Sequence, residues 1–314
     1  MAKGGTLELT SHQITGVKPG PHLLITGGVH GDEFEPMAAI RQLMDLVRPD
    51  AMCGRVTLVP VVNEPAFRLG RRTAEDGLDL ARTCPGRQDG SVTEQIAHAL
   101  SILIRAADYY IDLHTGGTRL RVLPMVGYML HPHADVLKAQ RQMARAFVLP
   151  IIWGTDPNLN GRSLSVARDA NVPAIYAEYH GGGGCDPQGI KAYVRGCLQV
   201  MAHLAMLPAA DRATTPAAEP LVVEDDRPGS GHMQVNHPAP YEGFFEPAVT
   251  LGQYVEPGQV LGSVSDLVGK NPIAICAAHA GIVLVLHTFA RVDSGASVAV
   301  LLDYRSQGSG GRSH

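Results

Sequence analysis

His30, Glu33 and His114 have residue types and spacing that can do chemistry together. His30 and Glu33 lie three positions apart in Gly27-Gly28-Val29-His30-Gly31-Asp32-Glu33. Glycines there allow a sharp bend and a close approach by another group. Imidazole nitrogen and carboxylate oxygen are ligands for Zn²⁺, and a catalytic zinc keeps three protein ligands and one open position. The third ligand is expected at His114, in Asp112-Leu113-His114-Thr115-Gly116-Gly117. The chain has 14 histidines, so no single one carries weight. The case is joint: each turn follows an apolar run, each contains glycine, and together they supply three ligands. Asp112 can hold the second nitrogen of a ligand imidazole, as carboxylates behind metal-bound histidines do; capping the strand end is its other use.

Hydrolysis at such a centre needs a base to take a proton from water. Glu178 is the candidate. It closes the run Pro173-Ala174-Ile175-Tyr176-Ala177 and precedes Tyr179-His180-Gly181-Gly182-Gly183-Gly184, with His180 as the local rival. Charge developing on an attacked carbonyl needs a fixed cation or donor. Arg71, Arg72 and Arg82 occupy the loop between Asn63 and Gly86, and composition does not choose among them.

These residues need a scaffold that gathers them. Apolar runs at residues 23–26, 56–62, 109–113, 125–130 and 174–177 predict strands. Amphipathic segments at 35–47, 93–106, 134–147, 163–171 and 190–206 predict helices. Their alternation predicts an α/β domain, residues 1–207, with a mostly parallel or mixed sheet covered by helices on both faces. Polar residues follow the strands at Gly27, Asn63, His114 and Glu178, the rim where open α/β sheets bind ligands. Residues 208–220, rich in Pro, Ala and Thr, predict a linker. Residues 221–305 contain short β-branched runs between Gly and Pro, which predict a small all-β domain of barrel or sandwich type. The Gly/Ser-rich residues 306–314 predict a disordered tail.

The bulk properties exclude several classes. A net charge of -4 gives no basic footprint for nucleic acid or an anionic membrane. No run approaches the roughly 18 apolar residues of a membrane span. The first residues, Met1-Ala2-Lys3-Gly4-Gly5, lack the apolar core of a signal peptide. Five cysteines, without a CxxC pair, predict free thiols and a cytoplasmic setting.

The set His30-Gly31-Asp32-Glu33, Asn63 to Arg72, Asp79-Leu80-Ala81-Arg82, Asp112-Leu113-His114 and Glu178 resembles the succinylglutamate desuccinylase/aspartoacylase family. That family is a branch of the zinc carboxypeptidase-like hydrolases. Within it, the chain most resembles the bacterial deacylases similar to N-alpha-acetyl-diaminobutyrate deacetylase, over about residues 20–304. The resemblance implies a zinc carboxypeptidase type of fold and one Zn²⁺ per chain on His30, Glu33 and His114. It implies that Glu178 activates water and protonates the leaving amine, and that Arg72 polarises the scissile carbonyl. Arg82 would grip a substrate carboxylate, with Arg162 as a further match and Asn63 beside them. The implied substrate is a small N-acylated amino acid, handled by a protein of a kind that often forms oligomers. Two positions depart from the family: Ala81 stands where Asn is usual, and Cys84 where an aromatic is common. Both alter the pocket and leave the ligands and base intact. Peptide-directed zinc carboxypeptidase activity is the competing enzymatic reading.

The second half of the chain adds a rival from another class. Gly252-Gln253-Tyr254-Val255-Glu256-Pro257-Gly258-Gln259-Val260-Leu261 resembles the biotinyl/lipoyl hammerhead domain, and Lys270 lies between its two half-motifs. Val268-Gly269-Lys270-Asn271-Pro272 lacks the acidic or Met flanks of a modified lysine, so a barrel that shapes the active-site mouth is the preferred reading over a carrier or metal-binding module. Tyr241 and Glu246 are read as ordinary surface or core.

Overall fold

The computed structural model describes residues 7–208, 219–233 and 236–303. Most of the expected linker and all of the expected tail lie outside the described residues. The chain divides into two units, residues 1–118 with 124–231, and residues 119–123 with 232–314.

The first unit begins with β1 (His12–Thr15), β2 (Lys18–Thr26), α1 (Phe34–Leu46), β3 (Cys53–Val59) and α2 (Glu64–Leu69). It continues through α3 (Val92–Arg105), β4 (Tyr109–His114), β5 (Leu120–Met129) and α4 (Ala134–Phe147). It closes with β6 (Ile151–Thr155), α5 (Ser163–Asp169), β7 (Ala174–Gly181), α6 (Pro187–His203) and β8 (Leu221–Glu224). The strand order is β1-β3-β2-β4-β7-β5-β6-β8. β1 is antiparallel to β3, whereas β2–β3, β2–β4, β4–β7, β5–β6 and β6–β8 pair in parallel. β3 lies on one side of β2 and β4 on the other, so the chain reverses direction of winding at β2. Such a reversal opens a crevice at the carboxyl ends of the strands.

The side chains sort by the two-residue period of a strand. Ile25, Ile111, Leu113, Ile175 and Ala177 enter a core with Ile40 and Leu43 of α1, Phe147 of α4, and Tyr193 and Cys197 of α6. The alternate positions, Thr26, Asp112, His114, Tyr176 and Glu178, are registered across β2, β4 and β7 on the opposite face. There α5 contacts β4 and β7, and α3 packs on α5. Ser91 and Glu94 form a capping box at the start of α3, and Asp186 caps α6 by accepting from the Gln188 N–H at 2.9 Å.

β8 differs from the sequence expectation, which placed residues 221–224 in the C-terminal domain. Its backbone pairs with β6 from Ile151↔Leu221 to Gly154↔Glu224, and Glu224 accepts from Tyr128 Oη at 2.6 Å and from Arg141 at 2.7 Å. The edge of β6 has unpaired backbone groups that a short β-branched segment satisfies. Residues 120–123 of β5, expected in the first domain, belong to the second unit.

In the second unit β12 (Ile273–Cys276), β11 (Val260–Ser265), β9 (Gly243–Pro247) and β14 (Arg291–Val292) form an antiparallel sheet in that order. β13 (Gly281–His287) pairs antiparallel with β10 (Tyr254–Val255), with β15 (Ala299–Leu302) and with residues 120–122. Separate apolar clusters, around Leu261 with Val283 and around Phe245 with Val264, fill it. Lys270 sits in the β11–β12 turn, where its N–H donates to Asp266 Oδ1 at 2.7 Å. Tyr241 donates to the Val264 carbonyl at 2.8 Å and packs against the Phe245 cluster.

Candidate metal centre

The first turn of the site is fixed by backbone bonds. Gly27 N–H donates to the Val59 carbonyl, and Val62 and Asn63 N–H donate to the Gly27 and Gly28 carbonyls, so the turn after β2 is held against the end of β3. Gly28 has φ +66°, a conformation suited to glycine. A Cβ on Gly31 would lie 2.1 Å from the backbone carbon of Ala66 in α2, so only glycine fits between the ligands. Glu33 is the N-cap of α1 but makes no side-chain cap bond. Its carboxylate turns to the histidines instead.

Glu33, 1% exposed, places Oε1 2.6 Å from His30 Nδ1 and Oε2 3.0 Å from His114 Nδ1. The Thr115 N–H donates to Oε2 at 3.2 Å. Each imidazole has a carboxylate behind it: His30 Nε2 is 3.1 Å from Asp79 Oδ1, and His114 Nε2 is 3.1 Å from Asp112 Oδ2. The two rings stand 5.3 Å apart. Burial alone would raise the Glu33 pKa, but the charges of His30 and His114 outweigh it and hold the carboxyl far below its usual range. Burial lowers both histidines; Glu33 and Asp79 outweigh it at His30, and Asp112 with Glu33 carries His114 well above its ordinary value.

These three side chains fit a metal ion. One ligand atom from each lies within 4.8 Å of the others, and among the described residues they are the group that meets this test. Both Nδ1 atoms face the Glu33 carboxylate, while both Nε2 atoms are held by aspartates, the arrangement that fixes tautomer and ring orientation in metal centres. Asp112 in turn accepts from Thr26 Oγ1 at 2.8 Å and from Ser163 Oγ. Tyr193 of α6 donates to the His114 carbonyl.

Glu178 lies next to His114 in the β4–β7 register. The sequence placed it at the end of a strand, whereas β7 continues to Gly181, so the base candidate is held by sheet backbone rather than by a loop. Its Oε2 is buried and has no hydrogen-bond partner among the described residues. Burial raises its carboxyl pKa to about 7, with the His114 charge opposing and the Glu33 charge adding. A buried carboxyl poised near neutrality matches a proton-transfer group.

The arginines separate by position. Arg72 reaches the ligands: Nη1 is 3.8 Å from Glu33 Oε1, and Nε and Nη2 donate to Asp79 Oδ2 at 3.2 and 3.0 Å. A third of its side chain remains exposed, so one end can meet a ligand. Arg71 instead turns to the Thr73 and Ala74 carbonyls. Arg82 donates to the Ala81 carbonyl at 2.6 Å, and Arg162 donates through both terminal nitrogens to the Gly231 carbonyl at 3.3 Å. Their segments touch, since the Cys84 N–H donates to Gly161 O at 3.0 Å. Burial and the neighbouring Arg82 push Arg162 down to about 10, still cationic at neutral pH. Asn63 is fully buried and caps α2 through its Oδ1, leaving its Nδ2 without a partner among the described residues. The Cys84 thiol is buried, donates weakly to the Leu80 carbonyl, and is pushed up to about 12 by burial. His180 adopts φ +46°, and its Nδ1 lies 3.6 Å from Asp186 Oδ2.

Asp79 is the residue at this donor set that sequence reasoning left without a role. Its Oδ1 accepts from the Ala81 N–H at 3.0 Å and faces His30, and its Oδ2 takes Arg72. One carboxylate thus orients a ligand and the adjacent cation. The signal was present in Asp79-Leu80-Ala81-Arg82, but contact with His30 spans 49 positions and leaves no periodic trace.

Fold and site define an α/β protein carrying a two-histidine, one-carboxylate donor set at the carboxyl ends of parallel strands. The profile of the succinylglutamate desuccinylase/aspartoacylase catalytic domain matches residues 19–204. N-alpha-acetyl-L-2,4-diaminobutyric acid deacetylase of Halomonas elongata is 32% identical over 291 residues, covering 90% of this chain and 82% of that protein. Among solved structures, a succinylglutamate desuccinylase/aspartoacylase from Rhodobacter sphaeroides superposes with a TM-score of 0.82 at 27% identity, over 95% of this chain and 90% of the other. The product-bound ectoine utilization protein EutE (DoeB) of Ruegeria pomeroyi gives 0.81 at 28% identity, over 93% and 87%. The chain belongs to the succinylglutamate desuccinylase/aspartoacylase family.

Proposed function

We propose that this protein is a zinc-dependent deacylase that hydrolyses the amide bond of a small N-acylated amino acid. The observation that carries the reading is the Glu33 carboxylate facing Nδ1 of both His30 and His114, with Glu178 beside them on β7. The deacetylase of Halomonas elongata supports the reaction class.

His30, Glu33 and His114 would hold one Zn²⁺, which supplies Lewis acidity that lowers the pKa of water and polarises a carbonyl. Glu178 accepts the proton of the attacking water and returns it to the departing amine. Burial raises its pKa, which suits a group that takes up a proton and gives it back. Arg72 places a fixed positive charge where the carbonyl oxygen becomes anionic, and Asp79 keeps that guanidinium aimed. Arg82 and Arg162 bind the substrate carboxylate; Asn63 contributes through its unpaired Nδ2. The five cysteines are free, which fits a reducing, cytoplasmic location.

The test is amine release from a panel of N-acyl amino acids, N-acetyl and N-succinyl derivatives included, with the zinc-loaded protein. Release from at least one acyl amino acid and none from peptides is expected. Stepwise shortening of a peptide from its carboxyl end would replace the reading with a carboxypeptidase.

A further inference from the structure

Asp32 stands between two proposed ligands in sequence, yet its carboxylate leaves their turn. Oδ2 accepts from the Thr118 N–H at 2.9 Å and from the Thr118 hydroxyl at 2.8 Å, and the residue is buried. Thr118 closes the turn that follows His114. Within that turn the Gly117 N–H donates to Thr115 Oγ1 at 3.1 Å. The turn then grips β7 and the glycines beyond it. Gly116 N–H donates to the His180 carbonyl at 2.9 Å, and the Gly117 carbonyl accepts from Gly182 and Gly183 N–H at 2.7 and 2.9 Å. Gly117 is required twice: its φ is +58°, and a Cβ there would lie 2.8 Å from Asp32 Oδ2.

One carboxylate therefore fastens the turn between β2 and α1 to the turn after β4, and that turn fastens the end of β7 and the glycines beyond it. Glu178 lies two residues before His180 on the fastened strand. Burying a carboxylate is costly unless its bonds are made; among the described residues Oδ1 has no hydrogen-bond partner, and both bonds of Oδ2 go to the one residue that closes this turn. We propose that Asp32 is a positioning residue that sets the placement of Glu178 against His30, Glu33 and His114. It acts through the 115–118 turn and touches neither substrate nor metal. Its kinetic consequence rests on the deacylase reading above; its structural consequence does not.

The experiment pairs hydrogen exchange with kinetics on Asp32→Ala, Asp32→Asn and Thr118→Val. In metal-free protein, the Gly116, Gly182 and Gly183 amides should exchange faster in Asp32→Ala, while those of Ile111 and Leu113 in the core of β4 keep their protection. In zinc-loaded protein, kcat should fall by about 30- to 100-fold with KM within about twofold, since a misplacement near 1 Å costs about that much. Asp32→Asn keeps an oxygen acceptor for Thr118 and should recover most of the rate. Thr118→Val keeps the N–H bond, loses the hydroxyl, and should fall by a smaller factor with the same amides affected; it carries the test if Asp32→Ala does not fold. Unchanged exchange at the three glycines, or a kcat within about twofold of the parent, overturns the proposal. A parent protein that binds zinc but releases no amine defeats the deacylase reading and leaves the exchange result to decide the role of Asp32.

Discussion

On one face of β2, β4 and β7, Ile25, Ile111, Leu113, Ile175 and Ala177 pack into the core beneath α1, α4 and α6. On the other, Thr26, Asp112, His114, Tyr176 and Glu178 are registered side by side and almost as dry. The same strands supply both faces, and the difference lies in how burial is compensated. The apolar face gains from leaving water and asks only for close packing. The polar face keeps charges out of water, where each is matched by another charge or a hydrogen bond or, as at Glu178, shifted by burial toward its neutral form. His30 and His114 share Glu33 and are backed by Asp79 and Asp112, so loss of one member leaves the rest uncompensated. The apolar face should therefore govern stability, and the polar face metal binding and rate.

Truncation on the apolar face should separate the two most sharply. Ile111→Ala is expected to cost about 2–5 kcal/mol of stability, read from denaturant unfolding. The folded fraction should bind zinc and turn over as before. A change in zinc affinity with unchanged stability would break the division between faces.

Asp112→Asn keeps the shape behind His114 but removes the charge. Zinc affinity is expected to fall by about 10- to 100-fold, as for carboxylates behind metal-bound histidines. Competition against a chelator of known affinity measures it, and an unchanged constant would reduce Asp112 to a strand-end cap.

The pH dependence of metal binding follows from the same charges. Without metal, Asp112 and Glu33 hold His114 well above its ordinary value, and His30 is raised as well. Both bind protons more tightly in the metal-free state, and metal requires their neutral imidazoles. Affinity should accordingly fall as pH falls, by about tenfold per unit for each proton displaced. Calorimetry in buffers of different ionisation heat counts those protons; none released would mean that the imidazoles are already neutral.

The smallest effect is expected at the rim. Arg82→Ala should raise KM for acyl amino acids by about tenfold, the scale of one part-buried hydrogen bond between charged groups of about 1.5 kcal/mol, with kcat little changed. An unaltered KM would move the carboxylate site to Arg162.

Local patterns made much of this legible. The helix expected at 134–147 and that at 35–47 coincide with α4 and α1 to within one residue, because apolar periodicity runs through both and Pro132, Pro150 and Pro49 lie just outside their ends. Two strands, and the start of a third whose end at 23–26 was expected, escaped for physical reasons. β1 is short and mostly exposed; β2 starts in Lys18-Pro19-Gly20-Pro21, which reads as a turn; and β6 is a five-residue run that begins just after Pro150. β7 was read as ending at Ala177, since Gly181 to Gly184 resemble a loop and hide a strand that runs past Glu178. The His30, Glu33 and His114 set was readable from types and spacing. The partners Asp79 and Thr118 were not, because contacts of His30 with Asp79 and of Asp32 with Thr118 are made by folding across 49 and 86 positions.

The most direct test of the central claim is zinc content and amine release measured together on the parent protein and on Glu178→Gln. The account predicts about one zinc per chain in both, amine release by the parent, and a loss of about 100- to 10,000-fold in kcat for the variant, the range for removing a general base. Absence of zinc in the parent even after zinc is supplied, or a variant that turns over at the parental rate, would contradict it.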